Sequence, residues 1–146
     1  MDNYKDTITY KMHKLVYIMD YVADKEFMAT TDISFNEFLV FLALQANPQF
    51  KQEEIAHWAN FNKSTASKTI DKLVVKKYIN RTENKIDRRI KDLKITQLGL
   101  KEVSKAQEVA ESISKRAYQH LTVEEYKTLS KIVNKLEDKI TENLIK

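Results

Sequence analysis

Across 146 residues the chain contains one glycine, Gly99, and one proline, Pro48. These two residue types interrupt helices most readily, so helices can run long and should dominate the fold. The apolar residues repeat to match. Between about Lys5 and Phe27, Ile8, Met12, Leu15, Val16, Met19, Val22 and Ala23 recur at three- and four-residue steps, which predicts a long first helix with one apolar stripe. Ser34, with Glu37 three residues on, makes a capping box that opens a second helix over 35–45, and Asn47-Pro48 ends it.

A short helix over 51–59 follows, with acids in its first turn and Ile55, Ala56 and Ala59 on one side. Asn60-Phe61 breaks it, because asparagine tolerates the left-handed conformation of a tight turn. Asn62 then caps a helix over 63–76. Its buried stripe is Ala66, Ile70, Leu73 and Val74, and Lys63, Ser64, Ser67, Lys68, Asp71 and Lys72 lie away from it. From Tyr78 the period changes. Tyr78, Ile79 and Arg81, and then Ile90, Leu93 and Ile95, sit in β-tolerant runs around the polar Thr82-Glu83-Asn84-Lys85, which predicts a hairpin. Thr96 caps the next helix, with Leu100, Val103, Ala106, Val109 or Ala110, Ile113 and Ala117 inward. Thr122 and Glu125 box the start of the last one, striped by Tyr126, Leu129, Val133, Leu136, Ile140 and Leu144. Two short helices joined by a tight turn and followed by a hairpin predict a mainly α protein built on a winged helix-turn-helix.

The charge is uneven. Residues 62–94 hold 11 Lys/Arg against 4 Asp/Glu, whereas the rest of the chain has 14 bases and 17 acids. A basic island in an acidic frame suits a polyanion, against the plainer alternative of a solvated basic face. Cysteine is absent, and His13, His57 and His120 share no metal-ligand spacing, so thiol chemistry and a soft-ligand metal site are excluded. Nothing resembles a phosphate-binding loop or a nucleophile elbow, and no enzyme activity or cofactor is expected. No apolar run approaches the ~20 residues of a membrane span, and the N-terminus lacks the order of a signal peptide. No membrane association and a cytoplasmic location are therefore expected.

Two segments carry the functional reading. In Asn62-Lys-Ser-Thr-Ala-Ser-Lys68, the short side chains of Ser64, Thr65 and Ser67 let a backbone approach base edges, while Lys63, Lys68 and Lys72 can neutralise phosphates. In the hairpin, which also brings Arg81 and Lys85, residues two apart on a strand share a face. Asp87 can then hold the Arg89 guanidinium for a narrow minor groove, and Arg88, facing the other way, can take a phosphate. The alternative is a surface salt bridge with no ligand.

These residues resemble those of the MarR family of winged helix-turn-helix transcription regulators. The segment NKSTASKTIDKLVVKKYINR is similar to that family's recognition helix, DRR to its wing motif and ITQLG to its return strand and helix start, within Ile33 to Leu100. The family often has glycine where Asn60 and Lys77 stand here, and the expected wing tip, Glu83-Asn84-Lys85-Ile86, lacks glycine and proline. The resemblance implies a homodimer whose terminal helices intertwine, with recognition helices in successive major grooves and wings in the flanking minor grooves.

The expected organisation is an N-terminal dimerisation helix over 1–32, a DNA-binding winged region over 33–97 and C-terminal dimerisation helices over 98–146. The last stripe is too long for a head of about 65 residues to cover, so a second copy is its expected cover. A two-fold dimer would read a pseudo-palindromic operator in double-stranded DNA. The resemblance also implies small-molecule effectors bound between dimerisation helices and head. For such a cleft His13, Tyr17, Tyr21, Phe35 and Phe38 are the candidates, with core packing as their alternative. The expected function is a sequence-specific repressor; the rival is a winged-helix interaction module whose basic face meets an acidic protein.

Overall fold

The computed structural model describes residues 3–144. Its helices are α1 (Ile8–Thr30), α2 (Phe35–Ala46), α3 (Gln52–Trp58), α4 (Lys63–Val75), α5 (Gln97–Tyr118) and α6 (Val123–Leu144), with strands β1 (Ile79–Glu83) and β2 (Lys91–Ile95) between α4 and α5. No single helix among the described residues is long and apolar enough to cross a membrane. The chain divides into two compact units, one up to Ala110 and one from Glu111, so the boundary falls inside α5.

Caps set most helix ends where the sequence predicts them. Ser34 and Glu37 form the expected reciprocal box at α2, and Thr122 and Glu125 do the same at α6. The first helix begins at Ile8 rather than near Lys5, because the Thr7 side chain accepts the Tyr10 N–H at 3.2 Å and the residues before it form a 3-10 turn. It runs on to Thr30, and the Thr31 hydroxyl then closes it by donating to the Phe27 carbonyl at 2.8 Å.

Both short turns carry a non-glycine residue at positive φ. After α3, Asn60 has φ 56°, the Phe61 N–H donates to the Ala56 carbonyl at 2.8 Å, and the Asn60 N–H donates to that of His57 at 3.2 Å. After α4, Lys77 has φ 62°, with Tyr78 N–H to Leu73 carbonyl at 2.9 Å and Lys77 N–H to Val74 carbonyl at 3.0 Å. Each is the 6→1 and 5→2 pair of a Schellman motif. The turns thus keep glycine-type geometry without glycine.

In the first unit α4 packs on α2 and α3, β1 packs on α4, and the core gathers Phe27, Ile33, Phe41, Ile55, Ile70, Leu73, Ile79, Leu93 and Val103. β1 and β2 pair antiparallel from Ile79 opposite Ile95 to Glu83 opposite Lys91. Several sequence expectations fail here in detail. Val74 is half-buried and Leu100 is exposed, because the stripes of α4 and α5 are narrower than their apolar residues suggest. Ile90 lies outside the sheet and is exposed, so only Leu93 and the half-buried Ile95 anchor the return strand.

Gly99, near the start of α5, sits against Tyr78, the residue before β1, and Ile95 at the end of β2. A Cβ there would lie 2.2 Å from the Tyr78 carbonyl oxygen and 3.0 Å from Ile95 Cγ2. Thr96 caps this helix as expected, accepting the Gly99 N–H at 3.0 Å, and its own hydroxyl donates to the Lys77 carbonyl at 2.8 Å. In the second unit Tyr118 and Tyr126 meet edge to face at 5.4 Å. Tyr126, Leu129, Ile132, Val133, Leu136 and Ile140 are exposed along α6, and the Leu144 side chain lies outside the described residues. With α3 and α4 joined by a tight turn and a two-stranded hairpin after them, the fold is a winged helix-turn-helix flanked by long helices.

Candidate nucleic-acid interface

Helix α4 has the two faces a groove-reading helix needs. Ala66, Thr69, Ile70 and Leu73 are buried, while Lys63, Ser64, Lys68 and Lys72 are exposed and Thr65 and Ser67 half-buried. Asn62 sets its start by accepting the Thr65 N–H at 2.7 Å. That bond commits the Asn62 side-chain oxygen to the cap, so Asn62 serves the site by orienting the helix. Lys63 lies 3.8 Å from Glu53, with both side chains almost fully in solvent, a contact that restrains its ammonium little.

The wing differs from the expected hairpin in one important respect. The strands stop at Glu83 and restart at Lys91, so residues 84–90 form a loop and Asp87, Arg88 and Arg89 are on neither strand. Strand alternation therefore cannot sort the two arginines. What couples Asp87 to Arg89 is a local turn: Asp87 Oδ1 accepts the Arg89 backbone N–H at 3.0 Å and Nε at 3.1 Å, and Oδ2 accepts Nη2 at 3.1 Å. A short acid that binds the backbone two residues on is an Asx turn, and here the same carboxylate also grips the guanidinium as a fork. The Arg89 side chain and then its backbone N–H hold the Asp87 carboxyl below its ordinary 3.8. The Arg89 side chain stays 91% exposed, held yet open to a ligand.

Asn84 organises the loop. Its Oδ1 accepts the N–H groups of Ile86 at 2.9 Å and Asp87 at 3.1 Å, and its own N–H donates to the Ile90 carbonyl at 3.0 Å. Asn84 Nδ2 donates to both oxygens of Asp92, at 3.1 and 3.2 Å, and Asp92 Oδ1 accepts Lys51 Nζ at 2.5 Å. Glu83 and Lys91 pair across the last rung of the sheet at 3.0 Å. Asn84, Asp92 and Lys51 were not among the residues singled out from sequence. The readable signal was Asn84 in a turn; nothing local marks Lys51 as the partner of a residue 41 positions away. Ile86, at the tip, is the most exposed large apolar side chain among the described residues, at 97%.

The remaining candidates divide by whether their charge is already used. Arg81 donates to Asp71 of α4 at 2.6 Å and is largely covered, so it braces β1 against α4. Lys68, Lys72, Lys85 and Arg88 have no ion-pair partner among the described residues. Those four, with the loosely held Lys63 and the oriented Arg89, are the candidate cations that remain open to an anion. Outside the candidate set, Lys76 ties the end of α4 to α2 through Glu37 at 3.0 Å and to the α1–α2 turn through the Asp32 carbonyl at 2.6 Å.

The proposed effector-cleft residues do not share one environment. Phe38 is buried, its ring 5.1 Å from that of Phe27, and belongs to the core, while the half-buried Phe35 packs at its edge, 5.6 Å from the same ring. His13, Tyr17 and Tyr21 are exposed on α1, and Lys25 stands 4.7 Å over the Tyr21 ring.

Comparison with known proteins agrees with this geometry. Residues 33–91 match the model of the MarR family. No curated protein matches the sequence. Solved structures of similar fold include the Staphylococcus aureus MepR–DNA complex, at 21% identity and TM-score 0.79, covering 94% of this chain and 99% of that one. A MarR/EmrR family transcriptional regulator from Acinetobacter sp. ADP1 gives 20% identity and TM-score 0.84, covering 96% and 99%. Bordetella bronchiseptica BpsR, described as regulated in DNA binding by 6-hydroxynicotinic acid, gives 15% and 0.84, covering 94% and 98%. At these identities the likeness is one of fold.

Proposed function

We propose, with the match of residues 33–91 to the MarR family as premise, that this chain is a dimeric, sequence-specific DNA-binding transcription regulator of the cytoplasm, acting as a repressor. Helix α4 would enter the major groove and the wing, residues 80–95, the adjacent minor groove. The observation that carries this reading is the combination of an exposed, oriented Arg89 with four uncommitted cations, Lys68 and Lys72 on the capped helix α4 and Lys85 and Arg88 on the wing loop. A cation covered within a pair, as Arg81 is, contributes little to phosphate binding, whereas these four are unpaired among the described residues and Arg89, though held by Asp87, stays exposed. Arg89 is pre-organised, so less side-chain entropy is lost when it enters a narrow, electronegative groove.

The exposed apolar residues of α6, and Ile8, Leu15 and Val16 on α1, support a second copy as their cover. A two-fold dimer spaces its recognition helices about one DNA turn apart, roughly 34 Å, and so reads half-sites ~10 bp apart. Release by a small molecule is the finer part of the reading, supported by the likeness in fold to a regulator whose DNA binding a small acid controls.

Selection of bound duplexes from a random pool tests the proposal. The expected result is an enriched pseudo-palindrome with that spacing, bound with a steep salt dependence by a protein of twice the chain mass. Binding without enrichment of any sequence, or preference for an acidic protein over all duplexes, would overturn it.

A further inference from the structure

We infer that Lys51 and Asp92 form a strut that positions the wing for DNA, acting through Asn84 on the loop that presents Arg89. This rests on the DNA-binding reading above and adds positioning residues to it. Lys51 precedes α3, the first helix of the helix-turn-helix, and Asp92 lies on β2. Their 2.5 Å contact is continued by Asn84, which grips both Asp92 oxygens with its amide nitrogen and the backbone of Ile86 and Asp87 with its amide oxygen. Asp87 in turn holds Arg89. The path from helix to groove-seeking arginine is thus an unbroken run of hydrogen bonds.

The loop it controls, residues 84–90, contains no proline to fix a backbone angle, so its shape rests on hydrogen bonds such as those that Asn84 and Asp87 make. Ordering it when DNA arrives would subtract from affinity; ordering it beforehand removes that cost. Because α3 also packs against α4, the strut refers the wing to the same framework that carries the recognition helix.

The sign of one substitution separates this role from simple electrostatics. Asp92 is an acid within the basic island, so if it acted only through its charge, neutralising it would strengthen binding to a polyanion. As a strut, its loss weakens binding. Lys51 gives the matching contrast. A phosphate-binding lysine lowers the salt slope by about one when removed, while a strut lysine leaves the slope unchanged.

The experiment uses the full-length protein and the duplex obtained by selection. Asp92→Asn, Lys51→Gln and Asn84→Ala are compared with wild type by titration at several salt concentrations and by hydroxyl-radical footprinting, with melting and mass measurements confirming fold and oligomeric state. Expected are affinities about tenfold weaker, of the order of one lost groove contact. Protection should be lost at the flanking minor grooves and kept in the major-groove half-sites, with salt slopes unchanged. The double variant Lys51→Gln/Asp92→Asn should be no weaker than either single one. Equal or tighter binding by Asp92→Asn, or a lower slope for Lys51→Gln, would overturn the strut. Failure of the wild-type protein to select any duplex would instead overturn the DNA-binding reading. Should Asp92→Asn melt early, Asn84→Ala, which leaves every charge in place, decides the matter by its footprint.

Discussion

Asp87 holds Arg89 through three hydrogen bonds at 3.0–3.1 Å, whereas the guanidinium of Arg88, the intervening residue, has no partner among the described residues. Two adjacent arginines of identical chemistry are therefore prepared for different tasks. Arg89→Ala should weaken binding to the selected duplex about tenfold or more and relax preference at the flanking positions. Asp87→Asn should produce a smaller loss of the same kind. Arg88→Ala should weaken binding to all duplexes alike and reduce the salt slope by about one. Titration against selected and bulk DNA at several salt concentrations checks all three, and equal effects of the two arginine variants would refute the division.

Lys77 adopts φ 62° at the end of α4, where a side chain strains the backbone and glycine would not. Lys77→Gly should stabilise the protein by about 1 kcal/mol, raising the melting temperature by roughly 3 °C. Asn60→Gly should gain less, since asparagine tolerates this region better than lysine. Thermal melts of both variants measure the difference.

At Gly99 the sign reverses, because the obstacle is a backbone carbonyl that cannot rotate aside. Gly99→Ala places a Cβ at 2.2 Å from the Tyr78 oxygen. Separating α5 from the Tyr78 backbone to relieve it should cost about 3 kcal/mol, the upper part of the range for overpacked sites. A denaturant melt with an unchanged midpoint would contradict this account.

Tyr78 is buried, and its hydroxyl donates to Asp32 at 2.9 Å. Burial, that hydrogen bond and the nearby carboxylates push its pKa up to about 12 from 10.0. A group whose folded pKa is raised contributes stability that is complete below the unfolded value and lost as pH rises through the folded one. Stability should therefore fall between pH 10 and 12. Of the seven tyrosines, one should ionise late by absorbance, and Tyr78→Phe should remove that phase.

The acid limb has the opposite sign. Burial raises the Glu102 carboxyl, but the Asp32 N–H at 2.7 Å and the Lys105 ammonium at 2.9 Å lower it further, leaving it below 4.5. Asp92 is likewise held below 3.8 by hydrogen bonds from Lys51 and then Asn84. These depressed values stabilise the fold above the unfolded pKa and stop doing so as pH falls through the folded one. Urea midpoints should be flat above about pH 5 and decline below it. Glu102→Gln should decline less steeply.

The features legible in the sequence are those whose cause lies within a turn of the chain. Capping boxes at Ser34 and Thr122, the left-handed residue at Asn60 and, Val74 apart, the buried stripe of α4 all depend on neighbours three or four residues away, and each took its expected place. The pairing of Asp87 with Arg89 was also foreseeable, although an Asx turn produces it rather than a shared strand face. The tertiary structure decided the rest. Where β1 stops is set by Asn84 turning back on Asp92, and Asp92 is itself held by a lysine 41 residues earlier. Arg81 became a brace because packing brought β1 against Asp71, and Phe38 became core because α2 met Phe27. An ion pair or a ring contact forms only between groups that the whole fold brings within a few ångströms. Local spacing sets which residues are suited to the task, and long-range packing sets which of them remain free to perform it.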